Sequence, residues 1–372
     1  MKKIMTVFGT RPEAIKMAPL VLELQKQPEN FKVCVVVTAQ HREMLDQVLE
    51  LFQIVPDYDL NIMQAGQSLS EITSRALLGL EKIMQDVRPD IVLVHGDTST
   101  TFAAALAAFY QKIPVGHVEA GLRTGNIYSP YPEEINRSLT GRLASLNFAP
   151  TSVAEANLIR ENVDPASIFV TGNTVIDALL ATVNQAYDLN TIPGLEELDF
   201  PHKRVILVTA HRRENWGAPM DRIFGAIRQI CESYPAVEIV LPMHKNPLVR
   251  KQVYQHLSGL SNIRLIEPLD YQPFVQLMAA SYLVMTDSGG MQEEVPALGK
   301  PVLVLRDTTE RPEALAAGTV RLVGSDQGAI FAATSELLDD EQAYLAMAQA
   351  QNPYGDGTAC KQIAAILQAS RF

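Results

Sequence analysis

The sequence predicts an α/β protein of two doubly wound domains facing a central cleft, and three observations predict it. Short runs rich in Val and Ile alternate with longer amphipathic segments along the 372 residues, the pattern of βα units around buried parallel sheets. That length exceeds one ordinary core and suits two domains of roughly 150 to 190 residues. The series of apolar runs also begins twice, on either side of an aperiodic stretch at 187–202 that collects Asn190, Pro193, Gly194 and Pro201.

In the first series the expected strands are Ile4–Phe8, Val33–Thr38, Ile91–Val94, Val115–Val118 and Asn147–Phe148. An amphipathic segment around Val175–Ala186 precedes the aperiodic stretch, which reads as a linker. The second series places strands at Val205–Thr209, Val237–Leu241, Ile263–Ile266, Leu283–Thr286 and Val302–Leu305. The expected division is an N-terminal domain over 1–170, a C-terminal domain over 171–355, and a final helix over 356–372 packing back on the first domain. Doubly wound sheets bind ligands at the carboxyl ends of their strands, so function is sought in the strand-to-helix loops.

Hydrophobic residues are 47% and charged residues 20% of the chain, a composition that folds fully. The formal charge of −11 offers no basic field to nucleic acid or an anionic membrane surface. The apolar run Ile4–Phe8 after Lys2 and Lys3 is too short for a signal-peptide core, and no stretch approaches the length of a membrane span. A cytoplasmic location is therefore expected. Cys34, Cys231 and Cys360 lack the spacing of a zinc site or disulfide framework and read as reduced packing residues.

The chemistry-bearing residues cluster at strand ends. The first strand runs into Gly9–Lys16 without the three-glycine dinucleotide fingerprint, which disfavours a bound NAD. Arg11 and Lys16 flank a helix start suited to an anion, with a surface ion pair as the plain alternative. Asp97 and Glu119 follow neighbouring strands, either as helix caps or as paired working carboxylates. Glu133 and Glu134 enter a further helix, where a capping role is equally available. With His95 and His117, Asp97 and Glu119 also resemble a metal-ligand set, although the spacing fits no common site and no metal is expected.

His211 sits in a polar loop with Arg212, Arg213 and Glu214, a candidate acid or leaving-group binder. In Asp287–Glu294 a strand meets a helix through Ser288, Gly289 and Gly290, whose backbone amides suit a diphosphate. Glu294, one helical turn beyond, faces the same side and suits ribose hydroxyls, and Arg311 is a further cation for the diphosphate.

Taken in order, GTRPEAIKMAP from Gly9, HGDT from His95, GHVEAGLRT from Gly116, PEEINR from Pro132, HRREN from His211, DSGGMQEE from Asp287 and RDTTERPE from Arg306 resemble the non-hydrolysing bacterial UDP-N-acetylglucosamine 2-epimerases. The resemblance covers nearly the whole chain. It implies two Rossmann-like domains of the glycosyltransferase-B type and no cofactor. It also implies epimerisation at C2 of UDP-N-acetylglucosamine to UDP-N-acetylmannosamine, for surface polysaccharide synthesis.

By the same resemblance, Arg11, Lys16, Asp97, Glu119, Glu133 and His211 surround the sugar. UDP lies against Ser288, Gly289, Gly290, Glu294 and Arg311, with Phe274 beside the uracil and Leu269 where some relatives carry glutamine. A second, activating pocket for substrate involves Gln40, Gln67, Glu133, Arg212 and His244, although Glu43 and Gly66 depart from some relatives there. A homodimer is implied as well. The rivals are a glycosyltransferase on the same scaffold, a non-catalytic nucleotide-sugar sensor, and a metal-dependent hydrolase built on His95, Asp97, His117 and Glu119.

Overall fold

The computed structural model describes residues 1–39, 42–64 and 66–372, which divide into two compact units: Met1–Ala181 with Tyr354–Phe372, and Thr182–Pro353. The first unit is built on β1 (Lys2–Phe8), β2 (Phe31–Val37), β3 (Tyr58–Asp59), β4 (Ile91–His95), β5 (Val115–Val118), β6 (Leu146–Ala149) and β7 (Ile168–Val170). All pair in parallel, in the order β3-β2-β1-β4-β5-β6-β7. The central runs are largely apolar because helices cover both faces, and Ile4, Met5, Val7, Val92, Leu93 and Val94 are fully buried. The chain leaves β1 toward β2 and returns to β4 on its other side, so the loops after β1 and β4 diverge at the switch point.

The second unit repeats the plan with β8 (Arg204–Thr209), β9 (Val237–Pro242), β10 (Ile263–Ile266), β11 (Leu283–Thr286), β12 (Val302–Val304) and β13 (Val320–Leu322). Its parallel order is β10-β9-β8-β11-β12-β13, with the switch point between β8 and β11. On one face Ile206, Val208, Ile239, Leu241, Met285 and Leu303 pack against Ile223, Phe224 and Ile227 of the helix Ala218–Ser233.

Each strand expected from an apolar run is present, whereas β3, β7 and β13 were not anticipated. All three are edge strands: Tyr58 and Asp59 are exposed, and Ile168–Val170 and Val320–Leu322 each bury one residue. A half-covered edge needs no continuous apolar run, so it leaves little pattern to read. The stretch 187–202 is not an open linker. Its prolines and glycine shape turns, while Ile192, Leu195 and Leu198 are buried.

The helix Ala359–Ala369 belongs to the first unit. Cys360 N–H donates to Asp177 Oδ1 at 3.0 Å, Asn173 N–H to the Tyr354 carbonyl at 2.7 Å, and Lys2 Nζ to the Leu367 carbonyl at 2.6 Å. A Cβ at Gly172, where φ is +84°, would stand 3.1 Å from the Tyr354 carbonyl, so glycine permits this close return of the chain. The three cysteines are buried and free, and burial pushes the Cys231 thiol up to about 12.

Candidate active site

At the first switch point, the buried carboxylate of Glu13 joins two loops. Its Oε2 accepts from Gly9 N–H at 3.0 Å, Thr10 N–H at 2.8 Å and Thr10 Oγ1 at 2.8 Å. Its Oε1 accepts from Thr98 Oγ1 at 2.7 Å and Thr101 Oγ1 at 3.0 Å. Burial pushes its pKa up, and the hydrogen bonds from Thr98, Thr10 and Gly9 oppose that rise. Pro12 sets the first turn of the helix Arg11–Gln25, which carries Lys16 inward while Arg11 is half-buried.

Lys16 Nζ forms an ion pair with Glu119 Oε2, which also accepts from Asn173 Nδ2 at 2.8 Å. Burial alone drives the Glu119 pKa up, but the charge of Lys16, the proximity of the His95 imidazole and the hydrogen bonds from Lys16 and Asn173 hold it well below the usual carboxylate range. Glu119 follows β5 in the left-handed region, at φ +62°, a conformation that costs a non-glycine residue about 1 kcal/mol.

His95 Nε2 lies 3.8 Å from Glu119 Oε2, and His117 Nε2 is 2.7 Å from the Gly96 carbonyl. Burial pushes both imidazoles down to about 4, so both are neutral at physiological pH. The His117–Gly96 bond turns that ring toward the backbone, and no group of three or more His, Cys, Asp or Glu among the described residues is arranged to hold a metal.

Asp97 Oδ2 is paired with Arg137 Nη2, while Asn136 Nδ2 donates to the Asp97 carbonyl at 2.9 Å. Both partners come from the helix Glu133–Leu143, whose sequence thereby fixes the β4 loop. The two glutamates at its start divide their labour. Glu134 Oε1 accepts from Thr124 N–H at 3.0 Å and Gly125 N–H at 2.9 Å, and Oε2 from Arg137 Nη1 at 3.1 Å. Glu133 is half-buried and its side chain makes no hydrogen bond among the described residues, which leaves its carboxylate available.

In the second unit, Asp287 Oδ2 accepts from His211 N–H at 2.9 Å, Arg212 N–H at 2.8 Å and Asn215 Nδ2 at 3.1 Å. The His211 ring, with 39% of its side chain exposed, stacks on His244 at 5.9 Å between centroids. Burial lowers the His211 pKa, Asp287 opposes that, and Arg212 and His244 add to it.

The amide of Ser288 is held by Thr286 Oγ1 at 2.9 Å, whereas those of Gly289 and Gly290 make no hydrogen bond among the described residues. A Cβ at Gly289 would lie 3.5 Å from Glu310 Oε2 and 3.7 Å from Arg212 Nη2. Buried Arg306 grips Glu310 through two hydrogen bonds of 3.1 Å, and Arg311 Nε pairs with Glu293. Glu294 ends the short helix Met291–Glu294, its carboxylate 3.9 Å from a Cβ at Gly290. Phe274 is half-buried on the helix Tyr271–Ala280, and Leu269 lies in the loop after β10.

Of the suggested activating residues, Gln40 lies outside the described residues. Gln67 accepts from Arg75 Nη1 at 3.2 Å, and His244 Nδ1 accepts from Asn246 N–H at 3.2 Å. Sequence reasoning passed over Glu13, Arg137, Asn173 and Asp287. Glu13 stood three residues after Thr10, the spacing at which a glutamate reaches back to a helix start. The signals of the others were weaker, because Arg137 meets Asp97, Asn173 meets Glu119 and Asp287 meets His211 across 40 or more residues.

The chain is similar to known proteins along nearly its whole length. A family model described as UDP-N-acetylglucosamine 2-epimerase matches residues 22–368. The chain is 57% identical to the UDP-N-acetylglucosamine 2-epimerase of Escherichia coli O157:H7, covering 100% of this chain and 99% of that protein. It is also 57% identical to the Bacillus subtilis enzyme of the same name, over 97% of this chain and 93% of that one. The crystal structure of the Neisseria meningitidis UDP-GlcNAc 2-epimerase bound to UDP-GlcNAc superimposes with a TM-score of 0.84 at 54% identity, covering 99% and 100% of the two chains. The chain is an isomerase and belongs to the UDP-N-acetylglucosamine 2-epimerase family.

Proposed function

We propose that this enzyme interconverts UDP-N-acetylglucosamine and UDP-N-acetylmannosamine by expelling UDP and adding it back. The C2 proton is not beside a carbonyl, so an ordinary carboxylate cannot remove it directly. Breaking the anomeric C–O bond, with the electron pair leaving on the β-phosphate, makes C1 oxocarbenium-like and acidifies C2–H. A carboxylate then takes that proton and leaves a 2-acetamidoglucal. Return of UDP, with a proton delivered to the opposite face, inverts C2.

The observation that carries this reading is Glu119, buried yet held ionised by Lys16 and Asn173. A carboxylate kept charged is always in its proton-accepting form, and it is the acidity that C2–H gains on loss of UDP that lets so weak a base take the proton. Asp97 and Glu133 share the proton traffic with it, and Arg11 and Lys16 supply positive charge around the sugar. His211 takes the leaving phosphate. Gly289 and Gly290, with unengaged amides, receive the diphosphate together with Ser288 and Arg311, while Glu294 holds the ribose and Phe274 and Leu269 flank the uracil.

The activating role of substrate at Gln40, Gln67, Glu133, Arg212 and His244, the homodimer, the cytoplasmic setting and the supply of N-acetylmannosamine for surface polysaccharide belong to the same proposal. Incubation with UDP-N-acetylglucosamine in deuterated water tests its centre. Deuterium at C2 and formation of the manno isomer without an acceptor are expected. Glu119→Gln and Asp97→Asn should lose on the order of 10²- to 10⁴-fold in turnover while still binding UDP. Unlabelled, unchanged substrate bound to the folded enzyme would refute the reading.

A further inference from the structure

We infer that Asp287 is a positioning residue that holds the Nδ1 proton of His211 and thereby presents Nε2 to the departing phosphate. The inference rests on the reading that His211 meets that phosphate. Its own support is geometric and lies within the second unit. Asp287, directly after β11, is 0% exposed. One carboxylate oxygen, Oδ2, is occupied by the amides of His211 and Arg212 and by Asn215 Nδ2, and Asn215 is itself tied to the Leu305 carbonyl at 3.1 Å.

The other oxygen, Oδ1, is buried with no hydrogen-bond donor among the described residues, and His211 Nδ1 stands 3.3 Å away. A buried carboxylate oxygen left without a donor is costly, so a modest rotation of the ring that aligns Nδ1–H with Oδ1 is favourable. The neutral ring then carries its proton on Nδ1, and on protonation Nε2–H becomes the donor that points away from Asp287.

The remainder of His211 is held as well. Its amide is fixed by Asp287, its carbonyl accepts from Trp216 Nε1 at 3.3 Å, and its ring face stacks on His244 with 15° between planes. The charged and titratable groups facing the ring are Asp287, Arg212 and His244; only Asp287 favours the imidazolium. Glu13, the corresponding carboxylate of the first unit, has donors on both oxygens and offers no such open acceptor to an imidazole.

Two measurements test this. Ring-nitrogen NMR of the intact enzyme should show neutral His211 as the Nδ1–H tautomer, shifting toward Nε2–H in Asp287→Asn; a predominant Nε2–H form in the unaltered enzyme overturns the inference. In kinetics, Asp287→Asn and His211→Gln should each lower kcat on the order of 10²-fold with little change in KM, and the double variant should be no worse than either alone. The pH limb set by the imidazolium should move to lower pH in Asp287→Asn, with partial recovery in Asp287→Glu. Additive losses in the double variant overturn the coupling. Full activity of His211→Gln would instead remove the leaving-group reading, a failure the tautomer measurement separates from that of the Asp287 contact.

Discussion

The two switch points are built alike and differ in one detail. In each, a single buried carboxylate ties the loop after one central strand to the loop after its neighbour: Glu13 between β1 and β4, Asp287 between β8 and β11. Glu13 spends both oxygens on backbone and threonine donors and has no charged partner in its hydrogen bonds. Asp287 spends one oxygen on the loop and turns the other toward an imidazole. The same device therefore holds two loops together in each unit and, in the second, also brings a carboxylate oxygen to 3.3 Å from the His211 ring. The first unit places its ion pairs elsewhere, in Lys16–Glu119 and Asp97–Arg137.

Four measurements bear on the contrast between the two carboxylates. Removing the carboxylate in Glu13→Ala strands five donors and should cost about 5 kcal/mol by urea denaturation, with activity lost only in step with the folded fraction. A folded Glu13→Ala enzyme that is inactive would give Glu13 a chemical role and erase the contrast.

Acid should weaken the first unit before the second. His95 and His117 have folded pKa values pushed from 6.5 down to about 4, so between those limits the unfolded chain binds more protons and stability rises with pH. Lowering the pH from about 7 to about 5 should cost roughly 2 kcal/mol per histidine, or about 4 kcal/mol together. Denaturation followed separately in the two units, the second by Trp216 fluorescence, checks it. Equal acid sensitivity of both units would count against neutral, buried imidazoles as the cause.

Asp287→Ala strands three donors and should cost about 3 kcal/mol, yet the surviving folded molecules should turn over far more slowly, unlike those of Glu13→Ala. The smallest effect belongs to Thr101→Val, which removes a hydroxyl whose single proton lies within reach of both Glu13 Oε1 and the His95 carbonyl, at about 1 kcal/mol and with turnover unchanged. A larger loss of turnover there would mean that the β4 loop is held more delicately than five shared hydrogen bonds suggest.

The candidate site was legible where local pattern carries the chemistry. The loop Ser288–Gly290, the helix start at Arg11 and the carboxylates after β4 and β5 each come directly after an apolar run, which is where a parallel sheet presents its working residues. The functions of Glu133 and Glu134 could not be separated that way, because both sit at one helix start. The backbone amides of Thr124 and Gly125 are what engage Glu134 and leave Glu133 aside. The three edge strands escaped for the opposite reason: with one side uncovered, they lack the apolar continuity that marked the central strands.

By itself, the sequence determined the α/β class, the alternation of strands and helices in two series, and the ordered motifs on which the family resemblance rests. These depend on burial periodicity and on residues adjacent in the chain. Tertiary structure alone decided that Lys16 meets Glu119 across 103 residues, that Arg137 meets Asp97, and that Asp287 turns an oxygen toward His211. Those partners are set by which strands the crossovers make neighbours, and a buried charge takes its state from whatever that topology brings within hydrogen-bonding distance.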